Sequence, residues 1–413
     1  MKRMILITTD FPYGAGESFL ETEVSYYTEF DRVHIFPIGH HAGKMRAVPA
    51  NVAVYKKKKE AKVHSNVYHW DLIRELWYCV QRRGWNETFL KTHLYRRAID
   101  YYSRAYHEAD RINKLLKEQG VQKSDHIVIY SYWMHMPAIV AVILSHKYPH
   151  AKCVTRCHGG DLYEERDKDL YLPFRKLIFE GMDVIIPISN NGKQYLRERY
   201  GKIRAEIRMC RLGVNIDVND LTPAIWWGEN GILRLVSSSN LIPVKRIERI
   251  VGALSQIYDI PIVWKHFGDG ESEKKLKELC EKLLSGHDNI KWQFMGRVTN
   301  REMLEYYAKE KPHVLINVSE SEGLPVSMME AMGCGIPVMG TNVGGVGEII
   351  IDKRNGYLLN ANADSGTIAA AIGKFYCQSE QEYKAMSRYA RKMYDRRYNA
   401  NVNYGRFVDM LLE

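Results

Sequence analysis

Glu322 and Glu330 stand in the window Asn317-Val-Ser-Glu-Ser-Glu-Gly-Leu-Pro-Val-Ser-Met-Met-Glu-Ala-Met-Gly-Cys-Gly335. An apolar run ends near Val318, a loop follows, and Pro325 falls where a helix would begin. Proline is tolerated at the first helical position because that N–H has no intrahelical partner. The amides of Val326 and Ser327 are then expected to point out of the helix N-terminus, where free N–H groups and the dipole suit an anion. A carboxylate beside a bound phosphate is repelled unless it has another task, and accepting hydrogen bonds from sugar or ribose hydroxyls is such a task. A second window, Thr341-Asn-Val-Gly-Gly-Val-Gly-Glu348, follows a short run at 336–339. It reads as a glycine-rich turn entering a helix, a second backbone nest for an anion.

Other reactive residue types point to weaker chemistry. Cys153, Cys157 and His158 form a C-x3-C-H run, but no second ligand pair follows at finger spacing, so no metal is expected there. Asp167-Lys-Asp169 is formally a D-x-D inside the charged run 164–169, and it reads as a solvated loop or helix start. Gly14 and Gly16 lack the third glycine of a dinucleotide fingerprint, and no acidic residue follows about 20 positions on at a strand end. No Gly-x4-Gly-Lys-Ser/Thr loop occurs, which sets an ATPase aside. The 7 cysteines are scattered, which suits a reducing cytoplasm better than a disulfide framework.

The elements that must position these residues alternate along the chain. Strands are expected at 4–9, 33–38, 127–131, 152–156, 183–188 and 207–212, then at 234–239, 262–267, 290–295, 313–318 and 336–339. Runs such as Val184-Ile-Ile-Pro-Ile188 are apolar throughout, as strands of a parallel sheet buried on both faces are. Helical patterns lie between them, so the spacing predicts βαβ units in doubly wound sheets. With 413 residues, two domains are expected: 1–216, a turn-rich linker at 217–231, and 232–395, with a C-terminal helix at 396–413 crossing back to the first. The run from Met4 is too short for a signal-peptide core. The stretch 126–144 reads as a strand and then a helix at 137–145, since His126, Ser131, His135 and Pro137 interrupt any membrane span. Residues 1–230 carry 35 basic against 27 acidic side chains. Much of that surplus lies in a segment at about 44–120 that interleaves the lysines 56–59, Arg82, Arg83, Arg96 and Arg97 with Trp70, Trp77, Trp85, Tyr95, Tyr101, Tyr102 and Tyr106. Such a mixture suits a membrane surface. Nucleic acid and a plain helical excursion with its aromatics turned inward are the other readings.

The motif E-G-L-P-x4-E-A-M-x-C-G-I-P-V, followed by T-x-V-G-G-x-x-E-I-I, resembles the signature of the retaining glycosyltransferases of family 4. Leu241-Ile-Pro-Val-Lys245, His266-Phe-Gly-Asp-Gly270, Phe294-Met-Gly-Arg-Val298 and Arg211-Leu-Gly-Val-Asn215 are similar to further segments of that family. So are Phe11-Pro-Tyr-Gly-Ala-Gly-Glu17 and His158-Gly-Gly-Asp161. The resemblance covers 230–360 closely, is patchy across 1–40 and 127–217, and is absent from 44–120. It implies the GT-B fold, an α/β architecture of two Rossmann-like doubly wound domains facing a central cleft, with the acceptor domain first and the donor domain second. It implies a transfer of a hexosyl unit from a nucleotide diphosphate sugar, UDP before GDP, with retention and without a metal or other cofactor. The acceptor is expected to be a glycan or lipid-linked molecule of surface polysaccharide biosynthesis, reached in the cytoplasm at the inner membrane face, with no nucleic acid involved.

By the same resemblance Glu330 holds the ribose, Glu322 a hydroxyl of the donor sugar, and Lys245 the diphosphate, while His158 lines the reacting centre. His158, Glu322 and Lys245 are thus the expected catalytic residues. Gly16, Asn240, Arg246, Arg297, Val298, Gly323, Leu324, Pro325 and Val326 are expected at the donor, and Glu17 and Asp161 at the acceptor. Asn240 stands where the family usually has arginine, so Lys245 is expected to carry more of the load, or Arg246 or Arg297 to substitute. A GT-B epimerase or phosphorylase, and a silent nucleotide-sugar binding module, are the alternative readings.

Overall fold

The apolar runs fold as parallel strands. The computed structural model describes residues 1–14, 16–39, 43–57, 69–83, 92–216, 225–228 and 231–413. Two compact units result, one formed by Met1–Leu212 with Asn403–Glu413 and the other by Gly213–Val402.

In the first unit β1 (Lys2–Thr8), β2 (Arg32–Pro37), β3 (Val52–Val54), β4 (His126–Ser131), β5 (Lys152–Cys157), β6 (Val184–Pro187) and β7 (Glu206–Ile207) form one sheet. Its order is β3-β2-β1-β4-β5-β6-β7, and every pairing is parallel. Alternate residues of one strand serve opposite faces. Ile5 and Ile7 join a core with Ile129, Ile139 and Ile143, while Met4 and Leu6 pack with Val128, Ile186, Phe407 and Leu411. Burial of both faces is why these strands read as continuous apolar runs rather than alternating ones. Phe407, Val408 and Leu411 lie on the helix Ala400–Leu412. That helix starts at Ala400, not 396: the preceding helix, Glu380–Arg397, ends at its C-cap Tyr398.

The second unit holds β8 (Leu233–Ser238), β9 (Ile262–Phe267), β10 (Ile290–Phe294), β11 (Val314–Asn317), β12 (Val338–Thr341) and β13 (Gly356–Leu359). Their order, β10-β9-β8-β11-β12-β13, repeats that of the first unit and reverses direction between β8 and β11. Ligands of such sheets bind outside the carboxyl ends of the strands at that reversal. Most of the expected linker, 217–224 and 229–230, lies outside the described residues. The part that is described is docked: Trp227 packs against Phe375, Tyr376 and Tyr383 of the second unit.

The segment 44–120 is not an excursion. It supplies edge strand β3 and the helices Trp70–Arg83 and Thr92–Glu118. The second helix buries Ala98, Tyr102, Ala105, Ala109, Ile112 and Leu116 in the first core, so it covers the sheet between β3 and β4. Trp85, Lys58 and Lys59 lie outside the described residues. Lys57 pairs with Glu108 at 2.8 Å, and Arg82 with Glu164 at 2.9 Å. The solvent-facing aromatics are Trp70, Trp77, Tyr95 and Tyr106. Among the described residues no helix is long and apolar enough to cross a membrane.

Candidate functional site

In the second unit the loops after β8, β9, β10, β11 and β12 all emerge at the carboxyl edge of the sheet. The loop after β11 carries Glu322, which is buried. Its Oε1 accepts from Lys245 Nζ at 2.6 Å and from Asn317 Nδ2 at 3.1 Å. Lys245 ends the short turn Pro243–Lys245 after β8, so a cation from one βα loop is held by a carboxylate from another. The helix that follows is Val326–Gly333, with Pro325 as its N-cap rather than its first residue. Gly323, Leu324 and Val326 line the same approach, and Leu324 is buried.

Glu330 sits one turn further into that helix. Burial pushes its carboxyl up to about 8, and the amide of Asn300, its hydrogen-bond donor, works the other way. No cation donates to it in the hydrogen bonds and ion pairs of the described residues. A carboxylate so placed lacks donors, and vicinal hydroxyls supply them. Asn300 opens the helix Asn300–Glu310, which begins with a capping box of Thr299 and Glu302. The Thr-x-x-Glu spelling was visible in the sequence, yet Asn300 was missed as a partner of Glu330 because thirty residues separate them.

The second glycine-rich turn does not form a separate nest. The Gly345 amide donates to the Gly323 carbonyl at 2.8 Å, and the helix after it, Val346–Ile349, has 4 residues. Gly344 lies at φ 52°, and a Cβ there would sit 1.9 Å from the Glu322 carbonyl oxygen. The turn therefore buttresses the backbone of Glu322 and Gly323 from behind. A similar close approach governs the turn after β9, where a Cβ on Gly268 would lie 1.9 Å from the Ser239 carbonyl oxygen.

The two arginines expected as substitutes for the charge that Asn240 lacks differ in their surroundings. Arg246 is bound to Glu320 at 3.0 Å and donates to the Ala361 carbonyl at 3.3 Å, with 13% of its side chain exposed. Both contacts tie it to neighbouring loops of the second unit. Arg297, on the turn before half-buried Val298, is 62% exposed and leans on Asp269 at 3.1 Å. Asn240 itself is exposed at the end of β8.

The first unit gathers a second set at the carboxyl edge of its sheet, from the loops after β1, β4 and β5. Glu17 accepts from the amides of Thr9 and Asp10 at 2.9 and 2.7 Å, and from Trp133 Nε1 at 2.6 Å. Asp161 accepts from the amides of Met134 at 2.8 Å and His158 at 2.7 Å. Burial would raise the Asp161 carboxyl, but His158, His135 and the Met134 amide hold it below its usual range. Both carboxylates, expected to touch an acceptor, are buried and fasten their loops. His158 lies with its ring 4.4 Å from that of Trp133 and 4.7 Å from that of Tyr132. Gly16 is exposed, and its carbonyl accepts from Arg46 at 2.6 Å.

The remaining reactive types are structural. Arg97 binds Asp167 at 2.6 Å and Asp169 at 3.2 Å, so the D-x-D pair neutralises a helix arginine. Cys153 and Cys157 point into the core, where burial pushes both thiols up.

Paired sheets with their loops turned to the carboxyl edges are the GT-B architecture. The fold is that of GT-B proteins, and residues 230–393 match the profile of the family described as "Glycosyl transferases group 1". The chain is similar to an uncharacterized glycosyltransferase, MJ1178, of Methanocaldococcus jannaschii, with 28% identity over 64% of this chain and 68% of that one. It is also similar to the putative colanic acid biosynthesis glycosyltransferase WcaL of Escherichia coli, with 25% identity over 61% of this chain and 62% of the relative. The fold of Anabaena Alr3699/HepE, solved in complex with UDP, matches with a TM-score of 0.67 at 15% identity, over 100% of this chain and 99% of that one.

Proposed function

We propose that this chain transfers a hexosyl unit, with retention of configuration and without a metal, from a nucleotide diphosphate sugar to a glycan or lipid-linked acceptor of surface polysaccharide synthesis. The observation that carries the reading is the Lys245–Glu322 pair at the N-terminus of Val326–Gly333, with Glu330 behind it paired with no cation among the described residues. Lys245 and the helix amides stabilise the diphosphate as it gains charge on leaving. Glu322 accepts from a hydroxyl of the transferred sugar, Glu330 from the ribose, and Arg297 supplies the charge that Asn240 lacks. UDP is the carrier, a choice supported by the fold shared with HepE, which was solved with UDP. The surface-glycan acceptor is supported by the similarity to WcaL. The acceptor is met at an anionic membrane face, a reading supported by the basic first half and by exposed Trp70, Ile73 and Trp77.

Calorimetry with UDP and GDP, followed by NMR of the anomeric proton of the product, tests the reading. Tight UDP binding and a product with the donor's configuration are expected. An inverted product removes the retaining assignment, and release of nucleotide without sugar transfer favours an epimerase or phosphorylase.

A further inference from the structure

The end of β4 and the loop after it carry four aromatic or imidazole side chains in a row of six, Tyr130, Tyr132, Trp133 and His135. Tyr130 turns into the core, but the other three collect around His158. The Trp133 ring is 4.4 Å from that of His158 and stacks on that of His135 at 5.7 Å with 10° between their planes. Among the described residues, Tyr132 Oη, His135 Nδ1 and His158 Nε2 are buried in this shell without a hydrogen-bond partner, and His158 Nδ1 faces Asp161 Oδ2 at 3.8 Å, beyond hydrogen-bond reach. A buried polar atom left without a partner is costly, and groups of them in one place call for an explanation. Capping does not provide one, because His135 is the N-cap of the helix Met136–Ser145 and makes no side-chain cap bond.

We propose that Trp133 and His135 form, beside His158, a recognition subsite for a hexopyranose ring of the acceptor, with His135 as a hydrogen-bonding residue that selects its hydroxyl pattern. The proposal rests on the glycosyltransferase reading and adds to it the sugar-binding residues of the first unit. A pyranose offers an apolar C–H face to an indole, and its hydroxyls both donate and accept, which suits neutral imidazole nitrogens. The platform is set before any ligand arrives. Glu17 pins Trp133 through its Nε1, Asp161 holds the Met134 and His158 amides, and Arg175 donates to the Met134 carbonyl at 2.7 Å. A shell fixed in this way loses little freedom on binding. Burial lowers the His135 imidazole to about 4, so it stays neutral near pH 7 and serves as a hydrogen-bonding group rather than a proton carrier.

The test is saturation-transfer NMR of the full chain with a set of methyl α- and β-hexopyranosides, alongside calorimetry with UDP. The wild-type chain is expected to bind a subset of the hexosides. His135→Phe, which keeps the ring and removes both nitrogens, should weaken them about tenfold, the loss of one or two hydrogen bonds, while UDP affinity stays put. His135→Asn should recover part of the loss, which a purely structural role would not give. Hexoside signals equal in wild type and His135→Phe, or absent from the wild type, overturn the subsite. Failure of UDP to bind the wild-type chain overturns the glycosyltransferase reading instead, so the two failures are told apart.

Discussion

Glu322 and Glu330 are the same residue type on one loop and helix, yet their surroundings differ. Glu322 is ion-paired with Lys245, whereas among the described residues Glu330 accepts from the Asn300 amide and its carboxyl is raised to about 8 by burial. Glu330→Gln is expected to weaken UDP by about 1.5–3 kcal/mol, since it removes a charged hydrogen-bond acceptor. Glu322→Gln should chiefly lower kcat. Calorimetry on both variants checks the split, and an equal loss of affinity would refute it. The raised carboxyl also sets a pH dependence. A raised acid favours the fold of the empty protein below its unfolded value near 4.5, and that contribution is lost as pH rises through about 8. Hydroxyl donors prefer the ionised form, so UDP affinity should climb between pH 7 and 9 in the wild type. Glu330→Gln, titrated over the same range, cancels the ligand's own ionisation and should leave a flatter profile.

At the scale of elements, the site depends on one βα turn propping another. Gly344 combines a φ of 52° with a backbone carbonyl 1.9 Å from where its Cβ would be. Gly344→Ala should therefore displace the Glu322 loop and cost about 1–3 kcal/mol, as strained positions do. Denaturant unfolding measures the stability, and UDP calorimetry measures the displacement. This coupling shows what could be read in the chain beforehand. Strands buried on both faces announce themselves as unbroken apolar runs, and β9 lies where its run predicts it, at Ile262–Phe267. The strand expected at 207–212 shrinks to Glu206–Ile207, because an edge strand pairs on one side only. Edge strands β3 and β13, with 3 and 4 residues, leave too short a pattern to notice. Glycines before a helix signal a tight turn, but not whether its amides face a ligand or, as with Gly345, a neighbouring carbonyl. Partners brought together by topology, Asn300 with Glu330 or Glu17 with Trp133, leave no local spacing at all.

On the scale of the whole molecule, charge and exposed apolar surface fall in the same half of the chain. Residues 1–230 hold a surplus of 35 basic over 27 acidic side chains; of the lysine run, the described Lys57 is paired with Glu108 and Lys56 lies over the Tyr13 ring. The helix Trp70–Arg83 presents instead Trp70, Ile73 and Trp77 at 72%, 54% and 52% exposure. These positions, three and then four residues apart, share one helix face, and Arg74 beside them has 60% of its side chain exposed. Tryptophans with a flanking cation suit the boundary between headgroups and acyl chains. Vesicles containing anionic lipid should therefore sediment the protein, and neutral ones should do so less. Replacing Trp70 and Trp77 with Ser should abolish sedimentation with both, while UDP affinity remains unchanged because Lys245, Glu322 and Glu330 lie in the other unit. Salt should weaken the anionic preference as the screening length falls from about 10 Å at 0.1 M to about 3 Å at 1 M, yet leave the tryptophan contribution in place. Sedimentation that survives loss of both tryptophans would move the contact to another surface, and none with either vesicle would leave the acceptor to be met in solution.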